Sequence, residues 1–286
     1  MGNTFFKNLF RDIKKTLSRF LSIIAIIAIG VSFYAGIRAS SPDMKISGDS
    51  YFTKTNLMDF KLASTLGITG ADIDQFKKIN GVTAVEGSHS VDAVTVKDQV
   101  SRVLNINSLP TEGGINQIKI VRGKKPAAAS EAIVEENFFK EQKLSLGDKI
   151  ALESGNDTDL KDTLNITEFT IVGTAESPLY VSEQRLLSSV GNGSVKGFVY
   201  ILPEVFVSDV FSEAYVRCQS AASDSSLTGN EAYKTTTDPI KASLKTLGAE
   251  RAQLRKADIL AEANKKISDA EDKLATAKQE AAQKFA

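Results

Sequence analysis

The feature that most constrains this chain is the segment Phe20–Ile37, FLSIIAIIAIGVSFYAGI, which carries no charge over 18 positions. As an α-helix it would span ~27 Å at about 1.5 Å per residue, close to the ~30 Å hydrocarbon thickness of a bilayer. Arg19 and Arg38 bracket it, and such side chains can reach the lipid headgroups. The segment predicts a transmembrane helix over residues 20–38, with lipid-anchoring side chains at Phe20, Ile24, Ile27, Phe33 and Ile37.

The charges on either side of this segment predict its orientation. Residues 1–19 contain one acid, Asp12, and five basic residues, Lys7, Arg11, Lys14, Lys15 and Arg19. The stretch after the segment has no basic excess. Because basic residues stay on the cytoplasmic side of a membrane, we expect residues 1–19 in the cytoplasm and the main domain outside the cell membrane.

The basic leader, residues 1–19, also has a helical pattern. Apolar residues recur at three- and four-residue spacing, and basic residues occupy the other face, which predicts an amphipathic helix on an anionic lipid surface. An alternative is that the leader extends the transmembrane helix. A second alternative is a cleaved signal peptide, which a mature N-terminus near Ser40 would identify.

Composition excludes several function classes. The 286 residues carry 35 basic and 35 acidic side chains, so no net charge favours nucleic acid as a partner. Cys218 and His89 are the sole residues of their types, and their spacing does not suggest a metal or thiol site. The absence of paired cysteines favours a bacterial protein over a secreted animal domain.

Residues 43–237 have the pattern of an extracytoplasmic α+β domain. Short runs with β-branched alternation predict strands, and two short helices interrupt them. Thr69 followed by Asp72 predicts the start of the first helix. Asn137 predicts the start of the second helix, after a strand that ends near Glu136.

Residues 238–286 predict a long helix that begins at Asp238-Pro239 and has coiled-coil character. Its a/d seam consists of Leu260, Ala263, Ile267, Ala270, Leu274 and Ala277. A helix of this kind requires a partner of similar length, and the sequence offers no second one. We therefore expect that the chain is the N-terminal part of a longer protein, or that the partner helix belongs to another molecule.

No motif for catalysis or cofactor binding occurs in the sequence. Phosphate-binding P-loop, nucleophile-elbow and zinc-protease patterns are absent. Asp157, Asp159 and Asp162 lack the glycine and distal glutamate of a calcium loop. Glu135 and Glu136 are adjacent, so a strand would point them to opposite faces. We expect no catalytic residue, no cofactor and no metal ion.

The order of elements resembles the start of an FtsX-like or MacB-like ABC transporter permease. The stretch RGKKPAAASEAIVEENFFKEQKLSLGDKIAL at 122–152 is similar to a core pattern of that family, followed by the strands FTIVGTAESPLY and GFVYILPEVF. The residues that match the family pattern are Gly123, Pro126, Glu131, Leu146, Gly147, Asp148, Gly173 and Pro203. Arg122 precedes Gly123, which reverses the common Gly-Arg order of the family.

The resemblance implies an α+β MacB-like extracytoplasmic domain on a membrane permease with no nucleotide site of its own. It implies a cytoplasmic ATP-binding subunit, a homodimer or heterodimer of permeases, and an extracytoplasmic protein partner. It does not identify the substrate. Two alternatives are a single-pass anchored interaction protein that oligomerises through its coiled coil, and an extracellular enzyme or sensor with a deep polar pocket.

Overall fold

The structure, a computed structural model, describes residues 2–182, 185, 187–191, 193–219 and 231–284. The helices are α1 (Gly2–Lys15), α2 (Leu17–Lys54), α3 (Gly70–Lys77), α4 (Glu136–Glu141) and α5 (Glu231–Lys284). The strands are β1 (Phe60–Ile68), β2 (Val82–Ser88), β3 (Ser90–Lys97), β4 (Val100–Ser108), β5 (Lys119–Gly123), β6 (Glu131–Glu135), β7 (Lys149–Ala151), β8 (Glu168–Glu176), β9 (Val195–Ile201) and β10 (Phe211–Cys218). The predicted α+β class is confirmed.

Residues 1–50 form a compact unit of their own. Helix α1 ends at Lys15 and α2 begins at Leu17, and hydrogen bonds of helical spacing continue across Thr16, from its N–H to the Asp12 carbonyl oxygen and from the Phe20 N–H to its carbonyl oxygen. Helix α2 contains the whole predicted membrane segment and continues past residue 38 to Lys54, with Pro42 inside it. Within the described residues, α2 is the one helix that is long and apolar enough to cross a membrane.

The second unit contains a small antiparallel sheet in the order β1-β10-β2. Its core combines Ala214 and Val216 of β10 with Ile73 and Phe76 of α3. Ile240 and Leu244 of α5 join the same cluster. Helices α3 and α5 therefore cover one face of this sheet, and burial of these side chains stabilises the contact.

Helix α3 begins where the sequence predicts. The Thr69 hydroxyl accepts a hydrogen bond from the Asp72 backbone N–H, and the Asp72 carboxylate accepts one from the Thr69 N–H in return. This reciprocal arrangement satisfies two N–H groups that have no partner in a free helix end. Burial opposes ionisation of Asp72, but bonds from Thr69 and Arg251 outweigh it and lower the carboxyl pKa.

The larger sheet is mixed, with the strand order β3-β4-β9-β6-β8-β5, and β7 also pairs with β8. Strands β4 and β9 are parallel, as are β6 and β8. Its main core is fully apolar and includes Leu104, Val134, Phe169, Ile171 and Val199. These side chains have at most 1% exposure, so this sheet holds the centre of the outer domain.

Helix α5 begins at Glu231, so the predicted start at Asp238-Pro239 is wrong, and the predicted boundary at residue 238 falls inside the helix. Tertiary contacts explain the two additional turns. Tyr233 donates to Asp59, and Thr237 and Ile240 are buried. Packing thus overrides the weak preference for starting a helix at proline. The predicted end at residue 286 lies outside the described residues.

Helix α5 has a docked half and a projecting half. The docked half ends near Arg251, which pairs with Asp72 on α3, and Arg255, whose Nε lies 3.4 Å from the Leu66 carbonyl oxygen. From Leu260 onward every described side chain is exposed. The predicted coiled-coil residues lie wholly in the projecting half.

Two glycines of the family pattern lie opposite each other where β5 pairs with β8. Gly123 has φ +70°, and it pairs with Gly173 in the strand register. A Cβ atom on Gly123 would lie 2.1 Å from the Val172 carbonyl oxygen, and one on Gly173 would lie 2.5 Å from the Lys124 carbonyl oxygen. Only glycine fits at either position without moving the backbone.

We expect Gly123→Ala to lower the free energy of unfolding by at least about 1–2 kcal/mol, because it adds left-handed strain and a clash with backbone. Gly248→Ala is the matched control, since a Cβ there meets nothing within 4 Å. That change should be neutral or stabilising by up to about 1 kcal/mol. Denaturant unfolding of the full chain in detergent measures both values, and equal midpoints for the two variants would contradict this explanation of Gly123.

Candidate functional site

The predicted lipid-anchoring side chains are all exposed in the described chain. Phe20 is 40% exposed, and Phe33 is 70% exposed. Ile24, Ile27 and Ile37 fall between these values. Contiguous apolar surface of this size marks a site of contact with membrane or protein.

Most residues of the family pattern gather around β8. The Gly147 N–H donates to the Ile171 carbonyl oxygen over 2.8 Å, and Asp148 accepts from the Ser145 N–H over 2.8 Å. This turn positions β7 beside β8. Pro203 lies apart from the others, at the start of a short 3-10 helix, Pro203–Val205, after β9.

Glu131 closes the basic turn that precedes β6. Its carboxylate accepts from the Ala127 N–H over 2.7 Å and from Lys124 Nζ over 3.2 Å, and these partners lower its pKa. Pro126 within the turn is buried. The residues of the family pattern therefore stabilise turns and allow close pairing of strands, and they do not converge on a ligand cavity.

A different set of residues joins the segment Thr55–Asp59, which follows α2, to the rest of the second unit. Asn56 Nδ2 donates to the Gly114 carbonyl oxygen over 2.9 Å, and the Met58 N–H donates to Asn116 Oδ1 over 2.9 Å. The Gln117 N–H donates to the Thr55 carbonyl oxygen over 2.7 Å. These bonds tie the segment to the loop between β4 and β5.

The Asp59 carboxylate is the centre of this arrangement, which we call the Asp59 node: Asp59, Arg217, Cys218 and Tyr233. Arg217 Nη1 lies 3.3 Å from Asp59 Oδ2, the Cys218 N–H donates to Oδ2 over 2.7 Å, and the Tyr233 hydroxyl donates to Oδ1 over 2.8 Å. The Asp59 side chain is only 5% exposed. One buried carboxylate thus connects the segment after α2 with β10 and α5.

Arg217 adds further contacts to the Asp59 node. Its Nε donates to Asn56 Oδ1 over 3.1 Å, and its Nη1 donates to the Leu57 carbonyl oxygen over 2.8 Å. Burial and the hydrogen bond to Asp59 raise the pKa of Tyr233, so its hydroxyl remains a donor at neutral pH. Charge-assisted bonds of this kind are stronger than neutral ones.

The sequence analysis missed the Asp59 node. Asp59 and Tyr233 are 174 positions apart, and no local pattern links them. The available signal was weak: a single acid as the first residue of the alternating run DFKLAS at 59–64, and an Arg-Cys pair at the end of the run EAYVRC at 213–218.

Glu135 and Glu136 are both buried, at 5% exposure each, and the prediction that both lie on one strand is wrong, because β6 ends at Glu135. Helix α4 begins at Glu136, so Asn137 lies inside it and the predicted cap there is wrong. Glu136 accepts from Arg122 Nε over 3.0 Å, Lys140 Nζ over 3.0 Å and the Thr174 hydroxyl.

The two carboxyls differ in pKa because their surroundings differ. Burial raises the pKa of Glu135 and outweighs its ion pair with Arg185. Burial also opposes ionisation of Glu136, but its bonds from Thr174, Lys140 and Arg122 lower its pKa. Each glutamate has its own arginine, which suits a structural role.

Two cavities of about 450 and 410 Å³ lie in the second unit. The first contains His89, whose ring stacks on Phe206 at 4.9 Å and whose pKa burial lowers. The hydroxyls of Ser88 and Ser108 lie 3.1 Å apart in the same cavity. Ser108 also accepts from the His89 backbone N–H, so its hydroxyl serves to hold strands together.

Across the residues that the structure describes, no group of three or more metal-ligating side chains comes together. Asp159 of the predicted polar tip accepts a hydrogen bond from the Lys161 N–H and begins a 3-10 helix, Leu160–Asp162. Asp159 therefore caps the short helix that follows it.

No family model matches the chain, and no curated protein matches it. Among solved structures, it is similar to the extracellular domain of the noncanonic ABC-type transporter YknZ from Gram-positive bacteria, at 14% identity and a TM-score of 0.36, over 62% of this chain and 86% of that one. The periplasmic region of MacB from Actinobacillus actinomycetemcomitans is similar at 13% identity and a TM-score of 0.33, over 63% and 75% of the two chains.

A domain of a protein described as a permease from Porphyromonas gingivalis is also similar, at 12% identity and a TM-score of 0.34, over 64% of this chain and 77% of that one. Identities and TM-scores of this size carry no functional argument, so the function proposed below rests on the chain's own residues.

We expect Asp59→Asn to lower the free energy of unfolding by about 1–3 kcal/mol, because it leaves Arg217 without its buried partner. Asp74→Asn is the control, since the Asp74 side chain is 69% exposed and its pairing with Lys77, at 3.6 Å, is a surface contact. That change should stay within about 0.5 kcal/mol of the wild type. Chemical denaturation compares the two, and an equal loss in both would sink the assignment of the Asp59 node.

Proposed function

We propose that this chain belongs to a membrane permease subunit of an ABC transporter or mechanotransmission complex. The observation that carries the proposal is α2, a helix with an uncharged stretch of 18 residues whose apolar side chains are exposed. An apolar stretch of that length matches the hydrocarbon thickness of a bilayer. Helix α2 then leads into Thr55–Asp59 and the Asp59 node.

The basic residues of the leader set the proposed orientation. Lys7, Arg11, Lys14, Lys15 and Arg19 precede the membrane segment, so α1 lies on the cytoplasmic side and the two sheets lie outside. On α1, Phe6 and Phe10 are exposed apolar residues beside these cations. This pattern suits an amphipathic helix at a lipid surface.

ATP hydrolysis in this proposal belongs to a separate cytoplasmic subunit, as the resemblance to FtsX-like permeases implies. Movement of the membrane helices on ATP binding would reach the outer domain through Thr55–Asp59. The Asp59 node would pass it to β10 and α5 together. The cargo or extracytoplasmic partner would respond to the resulting displacement.

A second candidate function is a membrane-anchored interaction protein that oligomerises through α5. The exposed seam favours it, since Leu260, Ile267 and Leu274 are 53–57% exposed. Ala263, Ala270 and Ala277 alternate with them on the same stripe. This candidate predicts self-association of the full chain in detergent across a concentration series, with no dependence on an ATPase.

We expect a membrane-impermeant maleimide to label Asp157→Cys on intact spheroplasts and to label Asn8→Cys only after permeabilisation. Cys218 serves as the silent background, because it is buried and burial raises its thiol pKa to about 11. Labelling of Asn8→Cys on sealed spheroplasts, with Asp157→Cys protected, would reverse the orientation. Equal labelling of both without permeabilisation would refute the membrane anchor.

We expect the complex of this permease with its ATPase to show an outer-domain response to nucleotide. A fluorophore on Asp157→Cys, measured in nanodiscs, should change its emission with ATP and vanadate but not with ADP. Tyr233→Phe removes the α5 bond to Asp59 and should reduce the change in emission at least about threefold. No response in the wild-type complex would favour the second candidate function.

A further inference from the structure

We propose that a groove along the outer edge of β1 binds an extended acidic segment of a partner protein, which adds a strand to the small sheet. The groove, called the β1 groove here, has a volume of about 290 Å³ and is lined by Lys61–Ser64 of β1 and by Leu244, Gly248 and Arg255 of α5. The inference goes beyond the permease function and stands whether or not the chain works with an ATPase.

The position of β1 makes its backbone available. It lies at the edge of the sheet β1-β10-β2, and among the described residues its one strand partner is β10. Four consecutive residues, 61–64, line the groove. Because successive residues of a strand point to opposite faces, the groove runs along the strand edge and not beneath one face. An edge strand offers N–H and C=O groups that an added peptide strand can pair with.

Helix α5 leaves the β1 groove open. Gly248 faces it, and a Cβ atom at that position would meet nothing within 4 Å. A glycine inside a helix costs about 1 kcal/mol relative to alanine, so internal packing does not account for it. Ala252, one turn later, also lines the groove with a small side chain. The space between β1 and α5 is therefore wide enough to admit a peptide backbone.

The charges of the β1 groove select an acidic occupant. Asp72 is already paired with Arg251, and Lys61 is paired with Glu213. Within the described part of the chain, no carboxylate lies within 4 Å of the Lys245 or Arg255 side-chain nitrogens; Arg255 Nε approaches the Leu66 carbonyl oxygen at 3.4 Å, and its charge helps to lower the pKa of Glu262 one to two turns along α5. Two cations thus flank an open strand edge, and carboxylates on an added strand would pair with them.

A second copy of this chain fits the β1 groove less well. Two copies that paired through β1 about a twofold axis would place the Lys245 and Arg255 side chains of each copy near those of the other. Like charges at such a pairing are destabilising. The partner is therefore a different protein with a short extended run of alternating apolar and acidic residues.

The test measures peptide binding to the full chain in detergent by fluorescence anisotropy. The probe is a fluorescein-labelled peptide of sequence EVEVDVE, and the comparison peptides are KVKVKVK and EVEVDVE with N-methylated valines. We expect EVEVDVE to bind at least about tenfold more tightly than either, since one lacks the charge and the other lacks backbone donors. No binding below about 1 mM, or equal binding of the three peptides, would overturn the proposal.

Variants of the chain locate the binding. Gly248→Leu should block the groove, and the double change Lys245→Glu with Arg255→Glu should weaken EVEVDVE at least about tenfold. The controls are Ala275→Leu, which introduces a leucine on the projecting half of α5, and the double change Lys273→Glu with Lys278→Glu, which makes the same change of net charge there; these side chains are exposed, and the controls should leave binding unchanged. Equal affinity in the groove variants and the control variants would overturn the proposal. Loss of self-association in the variant Lys245→Glu with Arg255→Glu would also overturn it, because that result would assign the groove to a second copy.

Discussion

A single buried carboxylate, that of Asp59, holds together three parts of the chain that are distant in sequence. It receives the guanidinium of Arg217, the N–H of Cys218 and the hydroxyl of Tyr233. A charge removed from water in this way is tolerated only when partners surround it. The small sheet, the segment after α2 and the first turns of α5 therefore have one common anchor. A shift of any one of them alone would remove a hydrogen-bond or ion-pair partner from the buried Asp59 carboxylate.

The family pattern describes architecture in this chain. Gly123 and Gly173 allow β5 and β8 to approach each other, Glu131 closes a turn, and Gly147 brings β7 to the same strand. Strand β8 pairs with three strands, β5, β6 and β7. Each of these turns therefore helps to set the register of a strand against β8. These residues therefore maintain the frame of the large sheet.

Local signals in the sequence were sufficient for local features. The uncharged run, the Thr69–Asp72 cap and the α+β class follow from spacing over a few residues, and the structure has all three. The start of α5 could not be predicted, because it depends on Tyr233 reaching Asp59 across the fold. The burial of Glu135 and Glu136 was equally inaccessible, since their arginine partners lie in other segments. Long-range pairing of single charges leaves no periodic trace.

The division of α5 into two halves has a geometric consequence. The docked half is fixed by Tyr233 near its start and by Arg251 near its end, whereas the residues from 256 to 284 extend for about 43 Å at ~1.5 Å per residue. A rotation of the docked half by only about 10° would sweep the tip through roughly 7 Å, given that length. A change too small to disturb the packing of the sheet would thus become, at the far end of the helix, a displacement larger than a full helical turn.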